Sequence, residues 1–169
     1  MQTELQFNVA QLLKEVTGGF RIHDIEAPID GEIDDDVVAV VTPLVGQVKL
    51  LRTGPNILVT GQLESTIKKS CGRCLSTFTT PITIELEEEF YPLSDINTSV
   101  PIVPPPDAEQ SNRIDNQHIL DLSEVVRQEL VLASEGLLYC QANCRGLCPH
   151  CGHDRNDGAC DCEENKIDA

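Results

Sequence analysis

The chain has 169 residues, 40% of them hydrophobic, with four Phe, two Tyr and no Trp, which fits one domain with a mostly aliphatic core, or a domain plus a small appendage. Its 28 acidic against 12 basic residues leave a net charge of −16, which excludes a chain that coats nucleic acid unaided, since phosphate binding needs clustered Lys and Arg. Such a chain pairs more naturally with a basic protein, ribosomal proteins among them, unless the charge serves only solubility.

The opening "MQTELQFNVAQLLKEV" carries neither the basic n-region nor the apolar run of a secretory signal, and no stretch reaches the roughly 18 apolar residues of a membrane span. Within it Val9, Leu12, Leu13 and Val16 have helical spacing, which predicts a short helix over 8–17, with Asn8 as cap, Gln11 in capping-box position and Gly18 at its end. The acid-rich "DIEAPIDGEIDDD" (24–36) reads as an edge strand or loop with a solvated face. Residues 37–52 read as two strands about a turn near Pro43. Beyond the turn at 54–56, Ile57, Val59, Gly61, Leu63, Ser65 and Ile67 alternate with polar neighbours, and Phe78, Thr80, Ile82, Ile84, Leu86 and Phe90 do the same after a Cys-Gly-Arg-Cys connection. Matching period-2 patterns of this length predict a long antiparallel hairpin. Residues 92–117 are polar and Pro-rich and read as a mobile linker. "LDLSEVVRQELVLASEG" then returns to helical spacing inside a 118–139 unit, with Asp121 or Ser123 as cap and Gly136 as end. The expected fold is α+β: an antiparallel sheet or partial barrel (1–91) with a short N-terminal helix, the linker, a helix packing on the body, a Cys-rich knuckle (140–162) and a flexible end (163–169).

Six of the eight cysteines crowd into the knuckle: Cys140, Cys144, Cys148, Cys151, Cys160 and Cys162. With no secretory signal, such clusters argue for a reducing compartment and hold metals more often than disulfides. In "CPHCG" two thiolates three positions apart can grip one cation from the same side, and the glycine permits a backbone that aims N–H groups at sulfur. Leu147 is nearly the only apolar residue nearby, so an ion would have to supply the folding free energy that a core supplies elsewhere. The expected ligands of one tetrahedral ion are four of Cys144, Cys148, Cys151, Cys160 and Cys162, with Cys148 and Cys151 at their centre; zinc fits such a set, and iron tolerates the same ligands. His150 and His153 could substitute but read as solvent-facing.

The earlier pair, Cys71 and Cys74, admits three readings. It can be half of a second metal site completed by two of the surplus tail cysteines, a structural hairpin end, or a thiol redox or metal-transfer pair; Cys140, Cys71 and Cys74 are thus candidate further ligands. The last expects a helix after the motif, whereas "TFTTP" continues as strand. Between residues 49 and 74, Lys49, Arg52, Lys68, Lys69 and Arg73 stand against the single acid Glu64, a local basic edge able to touch RNA or an acidic partner, or simply a solvated hairpin. No nucleophile–base constellation, phosphate loop or dinucleotide motif is present, His23 and His118 stand alone as surface residues, and no enzyme site is expected.

Three blocks resemble the YceD-like large ribosomal RNA subunit accumulation proteins of bacteria and chloroplasts: "VTGQLESTIKKSCGRCLSTFTTPI", "ILDLSEVVRQELVLAS", and "CRGLCPHCGHDRN" followed by Cys160-x-Cys162. The matching positions are Gly61, Cys71, Arg73, Cys74 and Leu75, then Asp121, Leu122, Glu129 and Leu130, then Cys144, Gly146, Leu147, Cys148, Cys151, Gly152 and Asn156. A departure is "EGLLYCQANC", where the family often has a proline after the helix. The resemblance implies a non-catalytic cytoplasmic factor (stromal in plant relatives) needed for accumulation of large-subunit ribosomal RNA. Its partners would be ribosomal proteins or a precursor large-subunit particle, with no membrane and no small-molecule substrate. Some members lack the terminal cysteines but keep the first pair, which implies a structural tail ion.

Overall fold

A hairpin of unusual length is the spine of the molecule. In the computed structural model, which describes residues 4–29, 32–33, 38–135 and 139–162, it is formed by β6 (Ile57–Ser70) and β7 (Thr77–Pro92), paired antiparallel from Ile57↔Phe90 to Ser70↔Thr77. Its alternation follows the sequence pattern: Ile57, Val59, Leu63, Ser65 and Ile67 are buried, as are Ile84, Leu86 and Phe90, while the intervening residues face outward. The other edge of β6 is shared. β5 (Leu44–Arg52) pairs with its first half and β4 (Val38–Val40) with Ile67 and Lys68, while β3 (Glu32–Ile33) extends β4. β2 (Phe20–Ala27) adds antiparallel to β5 and forms an edge. The described strands make an open sheet and not a barrel, because β2 and β7 do not pair with each other.

Among the described residues, one face of this sheet carries the packed core. The buried cluster joins its inner residues to Leu5, Val9, Leu12 and Leu13 near the N-terminus and to Val125, Val126 and Leu130 of α2 (Ser123–Ser134), which lies against β7. A two-stranded ribbon, β1 (Gln6–Asn8) with β9 (Ile119–Asp121), joins the N-terminal segment to the start of α2. Gly61, opposite Val48, is required by the close approach of β5 to β6: a Cβ there would stand 2.5 Å from the Gln47 carbonyl oxygen.

Several elements differ from the sequence expectation. The first helix, α1, is only Ala10–Lys14. Asn8 belongs to β1, its side chain accepts the Ala10 N–H at 3.1 Å, and Gln11 caps nothing. Gly18 does not end the helix; its N–H donates to the Arg52 carbonyl and so brings the chain into β2. That strand starts at Phe20, ahead of the acid-rich stretch. Of 24–36, Asp24–Ala27 fall in β2 and Glu32–Ile33 in β3; Asp30, Gly31 and Asp34–Asp36 lie outside the described residues. Over 92–117 the chain carries defined structure: an Asp95-centred turn closed by the Ser94↔Pro101 bridge, a 3-10 turn at Gln110–Asn112, and β8 (Arg113–Ile114) parallel to β7. Residues 119–121 of the expected helical unit are strand, the Asp121 carboxylate accepts the Ser123 N–H at 2.8 Å, and Gly136 and 163–169 lie outside the described residues. His23 is half-buried, its ring 4.7 Å from that of Phe7.

Candidate metal centre

The hairpin ends in a turn that turns two thiols inward. The Cys71 N–H donates to the Ser76 carbonyl at 2.8 Å and the Leu75 N–H to the Cys71 carbonyl at 3.0 Å, closing the loop between β6 and β7. Cys71 and Cys74, both buried, meet Cys140 and Cys144 from the segment after α2. Sγ of Cys71 lies 3.8 Å from that of Cys144, and Sγ of Cys74 lies 3.6 Å from that of Cys140. A disulfide needs about 2.05 Å. Four sulfurs at the corners of a tetrahedron around an ion about 2.3 Å away would be roughly 3.8 Å apart. All four lie within 4.8 Å of one another, and the fit is that of a four-thiolate metal site.

A second set follows at once. Cys148, Cys151, Cys160 and Cys162 also bring their sulfurs within 4.8 Å of one another. The turn that carries Cys148 and Cys151 is closed by Gly152 N–H to the Cys148 carbonyl at 2.9 Å and Cys148 N–H to the His153 carbonyl at 2.8 Å. This set is more open: Cys148 is buried, Cys151 is exposed, and Cys160 and Cys162 are half-buried. Each of the eight cysteines belongs to one set or the other, so the two groups can hold two ions.

The loops are stitched together by backbone and by Asn156. The Arg73 carbonyl accepts the Leu147 N–H at 3.3 Å, and Gly146, at φ +71°, admits this approach because a Cβ there would come within 3.2 Å of the same oxygen. The Asn156 amide nitrogen stands 3.4 Å from Sγ of Cys144, while its oxygen accepts the Arg145 N–H at 2.8 Å. Arg73 lies over the Tyr139 ring at 4.2 Å and donates to the Cys144 carbonyl at 3.1 Å.

Hydrogen bonding to sulfur splits the thiols. Backbone N–H donation, from Cys74 foremost, lowers the Cys71 thiol to about 6 against the opposing effect of burial, and donation from Cys151 and His150 lowers Cys148 to about 6. The Asn156 side chain lowers Cys144. Burial pushes Cys140 up to about 12, and hydrogen bonding to Cys151 pushes Cys162 up to about 12. Each set thus pairs a backbone-stabilised thiolate, Cys71 or Cys148, with a raised thiol, Cys140 or Cys162, that gains by sharing a cation's field.

The family model for "Large ribosomal RNA subunit accumulation protein YceD" matches residues 59–169, about two thirds of the chain. The chain belongs to that family. No curated protein and no solved structure matches it. The match begins inside β6 and takes in the YceD hairpin, α2 and both thiol sets, leaving β1–β5 outside it.

Within this YceD chain the eight cysteines divide differently from the sequence expectation. Cys148, Cys151, Cys160 and Cys162 come together, but Cys144 joins Cys71, Cys74 and Cys140, the arrangement in which the first pair is half of a second site. The reason is topological: α2 runs back along β7 and delivers Cys140 and Cys144 to the hairpin tip, a distance in sequence that no local spacing reveals. His150 and His153 are exposed and belong to neither set. The five bases do not form one edge. Lys49 pairs in register with Thr60 and sits 4.9 Å over Phe20, and Arg52 pairs with Ile57 and donates to the Gly54 carbonyl, so both lie toward the opposite end of β6 from Lys68, Lys69 and Arg73. Lys69 donates to the Ser134 carbonyl at the end of α2, Arg73 braces the first thiol set, and Lys68 is exposed. Asn156 and Ser76, whose hydroxyl is 2.8 Å from Sγ of Cys74, are contacts to sulfur that no periodicity or spacing announces.

Proposed function

We propose that the chain is a non-catalytic factor required for accumulation of large-subunit ribosomal RNA, acting in the cytoplasm during ribosome assembly or RNA processing, with ribosomal proteins or a precursor large-subunit particle as partners. The observation that carries this reading is the family membership over residues 59–169. Among the described residues no helix is long and apolar enough to cross a membrane. In the same reading the two thiol sets each hold zinc, which would supply a structural cross-link: the first fastens the segment after α2 to the hairpin tip, and the second shapes a loop with almost no core of its own. Lys68 and Arg73 at that end are the bases best placed for RNA.

Depletion of the protein tests the assignment. A fall in the ratio of large- to small-subunit ribosomal RNA, reversed by re-expression, is expected; an unchanged ratio would refute it. A second reading, thiol redox or metal transfer by Cys71 and Cys74, draws on the lowered Cys71 thiol. Burial of both thiols and their place in a set of four weigh against it. Reversible oxidation of that pair in the native, metal-loaded protein would restore it.

A further inference from the structure

The face of the sheet turned away from α2 has a chemistry of its own. Register places four residues in each row across β2, β5, β6 and β7. One row is Phe20–Leu51–Leu58–Glu89 and the next is Ile22–Lys49–Thr60–Glu87. The following rows bring in Asp24, Glu85, Glu26, Val45 and Glu64. An apolar corner therefore stands on the surface. Phe20 and Ile22 are each 51% exposed beside half-buried Leu51 and Leu58, and Val45, 44% exposed, stands apart from them two rows farther on. Glu87 and Glu89 share its rows, and Asp24, Glu85, Glu26 and Glu64 continue the face beyond it, against Lys49 as the one base among these positions. Singly exposed apolar residues are ordinary; a contiguous corner rimmed by charge marks an interaction site.

The sign of the rim selects the occupant. A second copy of the chain would set carboxylates against carboxylates, and RNA or an anionic membrane would bring phosphates to the same groups. A cationic polypeptide is attracted, and its aliphatic or aromatic side chains can cover the corner. Four strands at about 4.8 Å spacing and four rows at about 7 Å make a patch of roughly 500 Å². That is below the roughly 800 Å² per partner of a standard stable interface, which fits a transient contact.

We propose that the outer face of β2, β5, β6 and β7 is a transient docking surface for a lysine- and arginine-rich protein. This rests on the assembly reading, whose protein partner it places on the sheet and not on the thiol-bearing tip. The test titrates the full, zinc-loaded chain with individually purified proteins of the large ribosomal subunit, in parallel with a precursor large-subunit RNA transcript, and measures self-association by sedimentation. Two variants change the face, Glu85→Gln with Glu87→Gln, and Phe20→Ser with Ile22→Ser; Asp157→Asn, an exposed carboxylate off the sheet, is the control. At least one basic protein should bind in the micromolar range. The carboxylate pair should weaken it at least fivefold and flatten its salt dependence, the apolar pair should weaken it at least tenfold, and the control should leave it unchanged. The inference is overturned if no such protein binds, if both face variants bind like the parent, or if they alter RNA binding or self-association instead. Re-expression in depleted cells separates the two claims. Face variants that restore the RNA ratio as fully as the parent sink the docking surface and spare the assembly role. An unchanged ratio on depletion sinks the assembly role, while loss of binding by the face variants still upholds the surface.

Discussion

Substituting Gly61 probes the close pairing of β5 with β6. A Cβ at that position would lie 2.5 Å from the Gln47 carbonyl oxygen, 2.9 Å from Val48 Cγ1 and 3.0 Å from Val48 Cα, whereas ordinary contact begins at 3.4 Å. The obstacle is mostly backbone in the middle of a paired strand, so β5 and β6 must separate by several tenths of an ångström. Overpacking of this kind costs about 1–3 kcal/mol. Alanine returns about 0.4–1 kcal/mol by restricting the unfolded chain. The net expectation for Gly61→Ala is a loss of about 1–2 kcal/mol, or a fall in Tm of roughly 2–8 °C for a domain of this size. Urea unfolding of the zinc-replete protein, followed by far-ultraviolet circular dichroism, measures it, with Thr60→Ala on the outward side of the same strand expected within about 0.5 kcal/mol of the parent. A Gly61→Ala protein as stable as the parent would show that β5 and β6 do not approach as closely as described.

Leu75, 67% exposed at the hairpin tip with φ +61°, holds a conformation that asparagine accepts more readily. Leu75→Asn should raise stability by about 0.5–1 kcal/mol, and unchanged or lower stability in urea would count against strain there. The Asp121 carboxyl is raised by burial but held below its ordinary value of 3.8 by the stronger effect of hydrogen bonds from Ser123 and Gln6. A lowered carboxyl contributes stability that is present above the unfolded-state value and lost as pH falls through the folded-state one. Asp121→Ala should therefore cost about 1 kcal/mol near neutral pH, and its gap from the parent should close below pH 3.8; a gap that persists in acid would contradict this. With a chelating dye, zinc should leave in two phases, the set with exposed Cys151 first and the set with buried Cys71, Cys74 and Cys144 later. Cys160→Ser should remove the fast phase and Cys144→Ser the slow one, and a single phase or the reverse order would sink the proposed difference.

The hairpin was legible because its signal is local and repeated: alternate residues of β6 and β7 meet the same core over their whole length. α2 was legible for the same reason, since Val125, Val126 and Leu130 recur at helical spacing. β2 was missed at its start because an edge strand buried on one face only needs few apolar residues inside, and Phe20 and Ile22 point outward. α1 was overextended because the apolar spacing from Val9 to Val16 suits a longer helix, yet Val16 is 82% exposed beyond its end. The 92–117 strap looked like a linker because its order comes from side-chain hydrogen bonds, such as those to Asp95, and from the parallel β8 contact, neither of which has a period. Metal-binding character could be read from the tail spacing, but the partition of thiols could not. Cys144 is nearer in sequence to Cys148 than to Cys71, and only the course of α2 along β7 brings it to the hairpin tip.

The claim that two four-thiolate ions organise the tip and the tail is tested most directly by metal stoichiometry. Protein purified without chelator, weighed by native mass spectrometry alongside Cys144→Ser and Cys160→Ser, should carry two zinc ions in the parent and one in each variant. A parent that is folded over 139–162 with no metal, or with one ion lost equally in both variants, would contradict it.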